Sequence, residues 1–231
     1  MTTSAPRPRT ALVTGANRGL GRATAALLHK AGFHVVLAGR DGDAVAVAAR
    51  TLGEGAGSVA LDVTDDTSVA RAAARVGPVD VLVNNAGTLL DDGAPPTRVP
   101  LSVVRDTLAV NVLGSWRVAQ AFLPGMVERG WGRVVMVSSG TGSFANGLFP
   151  KTPAYSASKA GLNAATVLLA KETEGTGVLV NAVNPGLTRT RMMPHATTPP
   201  EEAAADVVHV ATLPDTAPTG AFFRSGQVID W

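Results

Sequence analysis

The sequence of 231 residues is long enough for one domain with a large core, and a composition of 45% hydrophobic and 16% charged residues excludes a largely disordered chain. The absence of cysteine excludes disulfides, thiolate nucleophiles and cysteine-ligated metals. The pI is about 9.4 but the net charge is only +2, and the basic residues are scattered, so we expect no binding to nucleic acid.

The first residues of the chain, 1–9, include Pro6 and Pro8 and are predicted to form a flexible N-terminal tail. They lack the apolar core of a signal peptide, and no later segment is apolar over the length that a bilayer requires. We therefore expect a cytoplasmic protein without membrane contact. Residues 10–231 are predicted to form a single domain, because no linker or internal repeat divides them.

Within that domain, short β-branched apolar runs alternate with Ala- and Leu-rich runs of helical length. The predicted strands are 11–14, 35–38, 59–61, 81–83, 134–137, Val178–Val183 and a short one near Phe222. The predicted helices are 21–30, 44–52, 68–75, 101–129, 154–174 and 200–213. This alternation predicts an α/β fold: a doubly wound parallel sheet (Rossmann fold) with helices on both faces.

A glycine-rich turn, Thr14-Gly15-Ala16-Asn17-Arg18-Gly19-Leu20-Gly21, joins the first strand to the first helix. Its glycines allow a sharp turn and a close approach to a pyrophosphate, whose charge then meets the amides and dipole of the helix N-terminus. The alternative is a tight turn that binds no ligand. The strand–turn–helix context favours dinucleotide binding.

The end of the second strand bears on the choice of dinucleotide. Arg40 follows Gly39 there, and Arg18 lies within the glycine-rich turn. Two guanidinium groups near one point favour the 2′-phosphate of NADPH (NADP+) over the free ribose hydroxyl of NADH. The alternative is that Asp41, one residue later, accepts from the ribose hydroxyls.

Tyr155 and Lys159 lie one turn apart on the same face of a predicted helix. A nearby ammonium lowers the pKa of a phenol toward the range in which it works as a general acid or base. We therefore expect Lys159 to lower the pKa of Tyr155.

Together with other motifs, these residues resemble the short-chain dehydrogenase/reductase family over nearly the whole chain. The matching motifs, in chain order, are Thr14 to Gly21, Asp62-Val63, Asn84-Asn85-Ala86-Gly87, Asn111, Ser138-Ser139, Tyr155 with Lys159, and Asn184-Pro185-Gly186. The glycine-rich turn and the ending from Gly220 to Trp231 are similar to carbonyl-reductase-like members. The resemblance implies NADPH-dependent reduction of small-molecule aldehydes and ketones to alcohols.

The resemblance also implies a set of cofactor contacts. Asp62 would accept from the adenine amino group, Val63 would donate its backbone amide, and the small Ala86 and Gly87 would let the adenosine ribose pack closely. The full set of implied cofactor-binding residues is Gly15, Asn17, Arg18, Gly19, Leu20, Gly21, Arg40, Asp62, Val63, Asn84, Ala86, Gly87, Tyr155, Lys159, Pro185, Gly186, Leu187, Thr188 and Thr190.

Four catalytic residues follow from the same resemblance. Tyr155 would donate the proton, Lys159 would assist it and bind the nicotinamide ribose, and Ser139 would polarise the carbonyl. Asn111 would disturb the helix that contains it and hold a water between Lys159 and solvent.

The serine assignment and the oligomeric state carry alternatives. Ser138 is expected to be a structural partner of Ser139, and Ser143 is a second contender because the segment between Ser and Tyr varies in length. Only 140–154 intervenes here, so the long insertion of many carbonyl reductases is absent. That insertion covers the helical face that other members use for dimerisation, so its absence argues against a monomer. The predicted helices at 101–129 and 154–174 are apolar enough to pair across a two-fold axis, and we expect a homodimer or homotetramer.

The sequence allows more than one substrate and more than one reaction direction. Phe144, Phe149, Met192, Met193 and His195 either line an apolar substrate pocket or pack on their own loops. A secondary-alcohol or sugar dehydrogenase and an acyl ketoreductase remain alternatives, as does a non-catalytic NADP-sensing module. The dispersed histidines and paired carboxylates predict no metal site.

Overall fold

The computed structural model describes residues 8–231, so residues 1–7 of the predicted tail lie outside the described part. Eight strands form one sheet in the order β3-β2-β1-β4-β5-β6-β7-β8. The strands are β1 Thr10–Thr14, β2 His34–Gly39, β3 Ala56–Ala60, β4 Val81–Asn84, β5 Gly132–Val137, β6 Val178–Val183, β7 Phe222–Arg224 and β8 Gln227–Ile229. Neighbouring strands are parallel except β8, which is antiparallel to β7. The predicted doubly wound sheet is confirmed.

Within residues 8–231, seven α-helices connect the strands. They are α1 Gly19–Lys30, α2 Gly42–Arg50, α3 Asp66–Val76, α4 Leu101–Leu108, α5 Ser115–Glu128, α6 Pro153–Glu172 and α7 Pro200–Ala211. A π-helical segment, Ala109–Gly114, joins α4 to α5, and a 3-10 turn, Gly140–Gly142, follows β5. None of these helices within residues 8–231 is long and apolar enough to cross a membrane.

The central strands are buried on both faces, which explains their continuous apolar sequences. In β4, Leu82 packs into the core layer on one face, and Val81 and Val83 pack into the layer on the other. In β5, Val134 and Val135 divide between the two layers in the same way. Helices therefore cover both faces of the central strands, and the ends of these strands are open to solvent.

The largest differences from the predicted strands are at β3 and β8. The strand expected at 59–61 begins earlier, at Ala56, because its backbone pairs with β2 from Val35 onward. β8 was not predicted, because a strand of three residues is too short to show a periodic pattern. Along the sheet, the chain winds from β1 outward through β3 and then crosses to β4. This reversal leaves a crevice at the carboxyl ends of β1 and β4, where doubly wound sheets bind ligands.

Candidate active site

The floor of this crevice is a hydrogen-bonded junction between β1 and β4. The Thr14 hydroxyl accepts from the backbone amides of Asn85 and Ala86, each at 3.0 Å. The Asn85 side-chain amide donates back to the Thr14 carbonyl at 2.8 Å. Neither Thr14 nor Asn85 was predicted as a site residue, although both lie in motifs that the sequence analysis singled out. The junction fixes the start of the glycine-rich turn relative to the end of β4.

The glycine-rich turn has no space for side chains at its closest contacts. Gly15 and Gly19 have φ angles of 64° and 54°, which favour glycine. A Cβ on Gly21 would lie 2.4 Å from the Asn85 amide nitrogen and 2.5 Å from the Gly15 carbonyl oxygen. The bare backbone at the N-terminus of α1 therefore fits a pyrophosphate, and the half-buried Asn17 and Leu20 and the exposed Arg18 lie beside it.

At the ends of β2 and β3, the charged residues have different partners. Arg40 is exposed, whereas the Asp41 carboxylate accepts from the Ala44 amide at 2.9 Å and caps α2. The Thr64 hydroxyl donates to Asp62 at 2.7 Å, and this bond, together with the positive charge of Arg40, holds the pKa of Asp62 below its usual value. Asp41 is thus already engaged, and Arg40 and Asp62 attract each other at one corner of the crevice.

Two further predicted cofactor residues are buried. Val63 packs against Gly114, where a Cβ would lie 2.6 Å from a Val63 methyl. The Asn84 side-chain amide donates to the Ser115 carbonyl at 3.1 Å and links β4 to α5. The Asn84 side chain therefore serves the interior of the fold, and Ala86 and the exposed Gly87 continue the chain along the crevice.

Tyr155 lies in the first turn of α6 and faces the Ser139 hydroxyl at the end of β5. Burial raises the pKa of Tyr155 to about 12, and its interaction with Ser139 acts in the opposite direction. The expectation that Lys159 lowers the pKa of Tyr155 is wrong for this structure. The Lys159 Nζ lies 5.4 Å from the Tyr155 ring centroid and donates to the Val137 carbonyl at 2.7 Å.

Lys159 is itself almost fully buried, and burial lowers its pKa from 10.5 to about 8. At neutral pH it therefore still carries a positive charge. A Cβ on Gly87 would lie 3.9 Å from Nζ, so the ammonium is next to the end of β4 as well as to Tyr155. The pair predicted from helical spacing is thus brought to the crevice.

The three serines near β5 have distinct environments. Ser138 is buried and donates to the Asn163 side-chain oxygen at 2.6 Å. The Ser143 hydroxyl is also buried and donates to the Asp230 carbonyl at 3.4 Å. Ser139 is half-buried and is the serine that interacts with the Tyr155 phenol. The geometry agrees with the choice of Ser139 over the other two.

Asn111 lies in the π-helical segment, so the expected disturbance of the helix is confirmed. Its side chain is fully buried and donates to the Thr88 carbonyl and to the Ser158 hydroxyl, each at 2.9 Å. Ser158 in turn donates to the Tyr155 carbonyl at 2.7 Å. Asn111 therefore connects the loop after β4 to the helical turn that contains Tyr155.

The loop after β6 closes the crevice on the side of the glycine-rich turn. Gly186 has a φ of 73° and its amide donates to the Asn184 side chain at 3.0 Å. A Cβ on Gly19 would lie 3.4 Å from the Thr190 methyl. The same loop contains three further predicted residues: Pro185, the exposed Leu187 and the buried Thr188.

The comparisons with known proteins agree with this geometry. The sequence model of the family described as short chain dehydrogenase matches residues 9–201. The chain belongs to the short-chain dehydrogenase/reductase family. Members of this family are oxidoreductases that use NAD or NADP on small-molecule substrates, and the resemblance inferred from the sequence is confirmed at that level.

Relatives in the short-chain dehydrogenase/reductase family differ in their reactions. The 2-dehydro-3-deoxy-L-rhamnonate dehydrogenase (NAD(+)) of Sphingomonas sp. (strain SKA58) is 37% identical, over 77% of this chain and 71% of that protein. The 3-oxoacyl-[acyl-carrier-protein] reductase FabG of Aquifex aeolicus (strain VF5) is 38% identical, over 80% and 75%. A solved structure of a short chain dehydrogenase/reductase family protein has a TM-score of 0.86 at 35% identity, covering 93% of this chain and 94% of that one.

Residues 8–231 contain no group of three or more His, Asp or Glu side chains arranged to hold a metal ion. At the amino ends of the strands, the guanidinium carbons of Arg9 and Arg133 lie 3.5 and 4.4 Å from the centre of the Trp131 ring. Arg133 is buried and pairs with Asp215, and it also donates to the Leu213 carbonyl at 2.9 Å. This cluster is a structural anchor far from the Tyr155 end of the strands.

Proposed function

We propose that this protein is an NADPH-dependent reductase that converts aldehyde and ketone carbonyls to alcohols, and that Tyr155 is its general acid. The observation that carries this proposal is the meeting of the Tyr155 phenol, the Ser139 hydroxyl and the buried Lys159 ammonium beside the glycine-rich turn. Asn111 is linked to this group because it donates to Ser158, which in turn donates to the Tyr155 carbonyl. These are an acid, a carbonyl-polarising donor and a positive charge, the groups that carbonyl reduction needs.

A nicotinamide dinucleotide fits the residues present. The bare backbone of the glycine-rich turn would receive its pyrophosphate, and Asp62 and Val63 would hold its adenine. The exposed Arg18 and Arg40 would bind a 2′-phosphate, since the Asp41 carboxylate is already engaged in capping α2. When bound, the cofactor supplies the hydride for the carbonyl carbon.

The raised pKa of Tyr155 fits its proposed role as proton donor. A phenol with a pKa of about 12 is protonated at neutral pH, which is the form that donates a proton to a developing alkoxide. The reverse reaction needs the phenolate, which burial disfavours. During reduction, Ser139 donates a hydrogen bond to the carbonyl oxygen, and the Lys159 ammonium, 5.4 Å from the centre of the Tyr155 ring, would hold the nicotinamide ribose.

The surroundings of the site favour an apolar substrate. Phe144 is 71% exposed and Phe149 45% exposed on the loop between Ser139 and α6. Met192 and Met193 are partly exposed on the loop after β6. Aromatic rings and adaptable thioethers suit modest hydrophobic carbonyls of varied shape. A 3-oxoacyl chain, the substrate named for the FabG relative, has the same apolar character and is the second candidate.

We propose in addition that the protein is a homodimer or homotetramer. Leu113 in the π-helical segment and Leu168 in α6 are each 55% exposed, and Leu101 in α4 is 81% exposed. A second copy of the chain would bury these side chains across a two-fold axis. Sedimentation velocity at micromolar concentration is expected to give a dimer or tetramer, and a profile of monomer alone would contradict it.

The test is absorbance-monitored oxidation of NADPH and NADH with a panel of aldehydes, ketones, diketones, quinones and 3-oxoacyl thioesters. Wild type is compared with Tyr155→Phe, Ser139→Ala and the matched control Ser143→Ala. We expect turnover with NADPH that vanishes in Tyr155→Phe and falls about 100-fold in Ser139→Ala, the usual cost of losing one oxyanion donor. Ser143→Ala should keep the wild-type rate.

The outcomes separate the alternatives. Equal turnover by wild type and Tyr155→Phe would overturn the catalytic assignment. Faster oxidation of NADH than NADPH would overturn the cofactor choice. Tight NADPH binding without turnover of any compound would favour the NADP-sensing module.

A further inference from the structure

The N-terminus of α6 is capped by a residue from a distant loop. Pro153 is the first residue of the helix and has no amide proton, and the Ser156 amide bonds normally to the Thr152 carbonyl at 2.8 Å. The amides of Ala154 and Tyr155 remain, and within the described chain the side chain of Thr152 caps neither. Both amides therefore need an acceptor from elsewhere.

Asp91 supplies both acceptors. One of its carboxylate oxygens accepts from the Ala154 amide and the other from the Tyr155 amide, each at 2.9 Å. Asp91 precedes Tyr155 by 64 positions and lies in the loop after β4. A carboxylate at a helix N-terminus gains from the helix dipole as well as from the two charge-assisted bonds.

The same loop reaches the same helical turn by a second route. Thr88, three residues before Asp91, exchanges hydrogen bonds with Asn111, which donates to Ser158, which donates to the Tyr155 carbonyl. The amide and the carbonyl of Tyr155 are thus both held from one loop. This arrangement fixes the backbone from which the Tyr155 phenol extends toward Ser139.

We propose that Asp91 is a positioning residue for the reaction: its carboxylate holds the first turn of α6 so that Tyr155 meets Ser139 and the substrate oxygen in the reactive geometry. This inference rests on the proposed role of Tyr155 as general acid. Asp91 acts through the backbone of Tyr155 and touches neither the substrate nor the cofactor. A displacement of about 1 Å in a reacting group costs up to about 100-fold in rate.

The adjacent Asp92 offers a matched control. It is exposed, lies in the same loop and accepts from the Ala94 amide at 3.0 Å instead of from α6. Asp91→Ala and Asp92→Ala therefore remove the same charge from almost the same place. Asp91→Asn keeps one carbonyl oxygen as an acceptor and so tests rescue by a conservative change.

In steady-state assays we expect Asp91→Ala to lower kcat by about 10- to 100-fold. NADPH affinity should stay within about twofold, because the residues proposed to bind the pyrophosphate, the 2′-phosphate and the adenine follow β1, β2 and β3, away from Asp91. Asp91→Asn should recover part of the loss, and Asp92→Ala should match wild type. An unfolding midpoint for each variant identifies the temperature at which all are folded.

A second readout does not depend on turnover. Tyr155 is the only tyrosine of the chain, so phenolate absorbance in an alkaline titration reports this residue alone. Loosening the first turn of α6 admits water to the phenol, so Asp91→Ala should move its pKa from about 12 toward the ordinary 10.0. Asp92→Ala should leave the titration unchanged.

If wild type turns over no substrate, the proposed function fails while the titration still tests Asp91. If Asp91→Ala lowers only the unfolding midpoint, with kcat and the Tyr155 titration as in wild type, Asp91 is a stabilising cap and the inference is overturned. Equal effects of Asp91→Ala and Asp92→Ala would overturn it as well, because they would reflect charge alone.

Discussion

Asn111 and Thr88 exchange two hydrogen bonds: the Asn111 amide donates to the Thr88 carbonyl at 2.9 Å, and its oxygen accepts from the Thr88 amide at 2.8 Å. The Asn111 side chain therefore forms hydrogen bonds with both the amide and the carbonyl of Thr88 in the loop after β4, as the backbone of a neighbouring strand would. Asn111 is a mediocre helix former, and the π-helical turn around it is the kind of irregularity that collects at functional sites. Asn111 thus lies in the irregular part of the helix and also supports the site, through its hydrogen bond to Ser158.

Truncation of Asn111 should damage both stability and turnover. Asn111→Ala leaves the Thr88 amide and carbonyl without their partner, which costs about 1–3 kcal/mol for each buried group left unpaired. We expect a drop of that order in the free energy of unfolding by urea, and a loss of kcat because Ser158 and Tyr155 lose a tether. The exposed Asn146 is the control, and Asn146→Ala should change stability by less than about 0.5 kcal/mol. Equal urea midpoints for the two variants would contradict the prediction.

Gly21 offers a test of the glycine-rich turn. A Cβ at this position would lie 2.4 Å from the Asn85 side-chain nitrogen and 2.5 Å from the Gly15 carbonyl oxygen, so the turn must shift to admit it. We expect Gly21→Ala to cost about 1–3 kcal/mol by overpacking and to weaken dinucleotide binding measured by calorimetry. Gly57→Ala is the matched control, because within residues 8–231 no atom other than those of Gly57 and its two chain neighbours lies within 4 Å of the added methyl. A Gly21→Ala variant with wild-type stability and affinity would refute the tight packing.

Burial of Lys159 and Tyr155 makes the stability depend on alkaline pH. The pKa of Lys159 falls from 10.5 to about 8 on folding, so between these values the unfolded chain binds more protons and stability rises with pH. The pKa of Tyr155 rises from 10.0 to about 12 on folding, so in that window the folded chain binds more protons and stability falls with pH. These two groups therefore place a maximum of stability near pH 10, with a change of about 3 kcal/mol on each side.

Two variants separate the contributions. Lys159→Met should abolish the rise in stability above pH 8, and Tyr155→Phe should abolish the fall above pH 10. Urea unfolding across the alkaline range measures both. Parallel stability profiles for wild type and the two variants would show that neither group changes its pKa on folding.

The strands that the sequence predicted correctly are those buried on both faces. β4 and β6 read as unbroken apolar runs because each face packs against a helical layer. β3 was placed too late, because its start contains Gly57 and its position is set by backbone pairing with β2 instead of by its own side chains. β8 lies at the edge, and its three residues are too few to show a strand pattern.

The site residues also fall into those that the sequence predicted and those that it did not. Helical spacing predicted that Tyr155 and Lys159 share a face, and motif order led to Ser139 and Asn111. Asp91 was missed because its partners are backbone amides more than 60 positions away, which leave no local pattern. The direction in which the Tyr155 pKa shifts was also predicted wrongly, because it depends on how deeply the fold buries the phenol.

Arg40 is the residue that should decide between the two nicotinamide cofactors. It is exposed at the end of β2, and the neighbouring Asp41 carboxylate is engaged with the Ala44 amide. If Arg40 binds the 2′-phosphate, Arg40→Ser removes a charge-assisted hydrogen bond worth about 1.5–3 kcal/mol. The Kd for NADPH should then rise about 10- to 100-fold, with little change for NADH.

Arg50, exposed at the end of α2, provides the control of equal charge. Arg50→Ser should leave both dissociation constants unchanged, because a distant surface charge is screened at physiological ionic strength. Arg18→Ala should weaken NADPH binding in the same direction as Arg40→Ser. If Arg40→Ser instead weakens NADPH and NADH equally, the guanidinium contacts a part that both cofactors share. If it weakens neither, the 2′-phosphate site lies elsewhere and the preference for NADPH loses its structural basis.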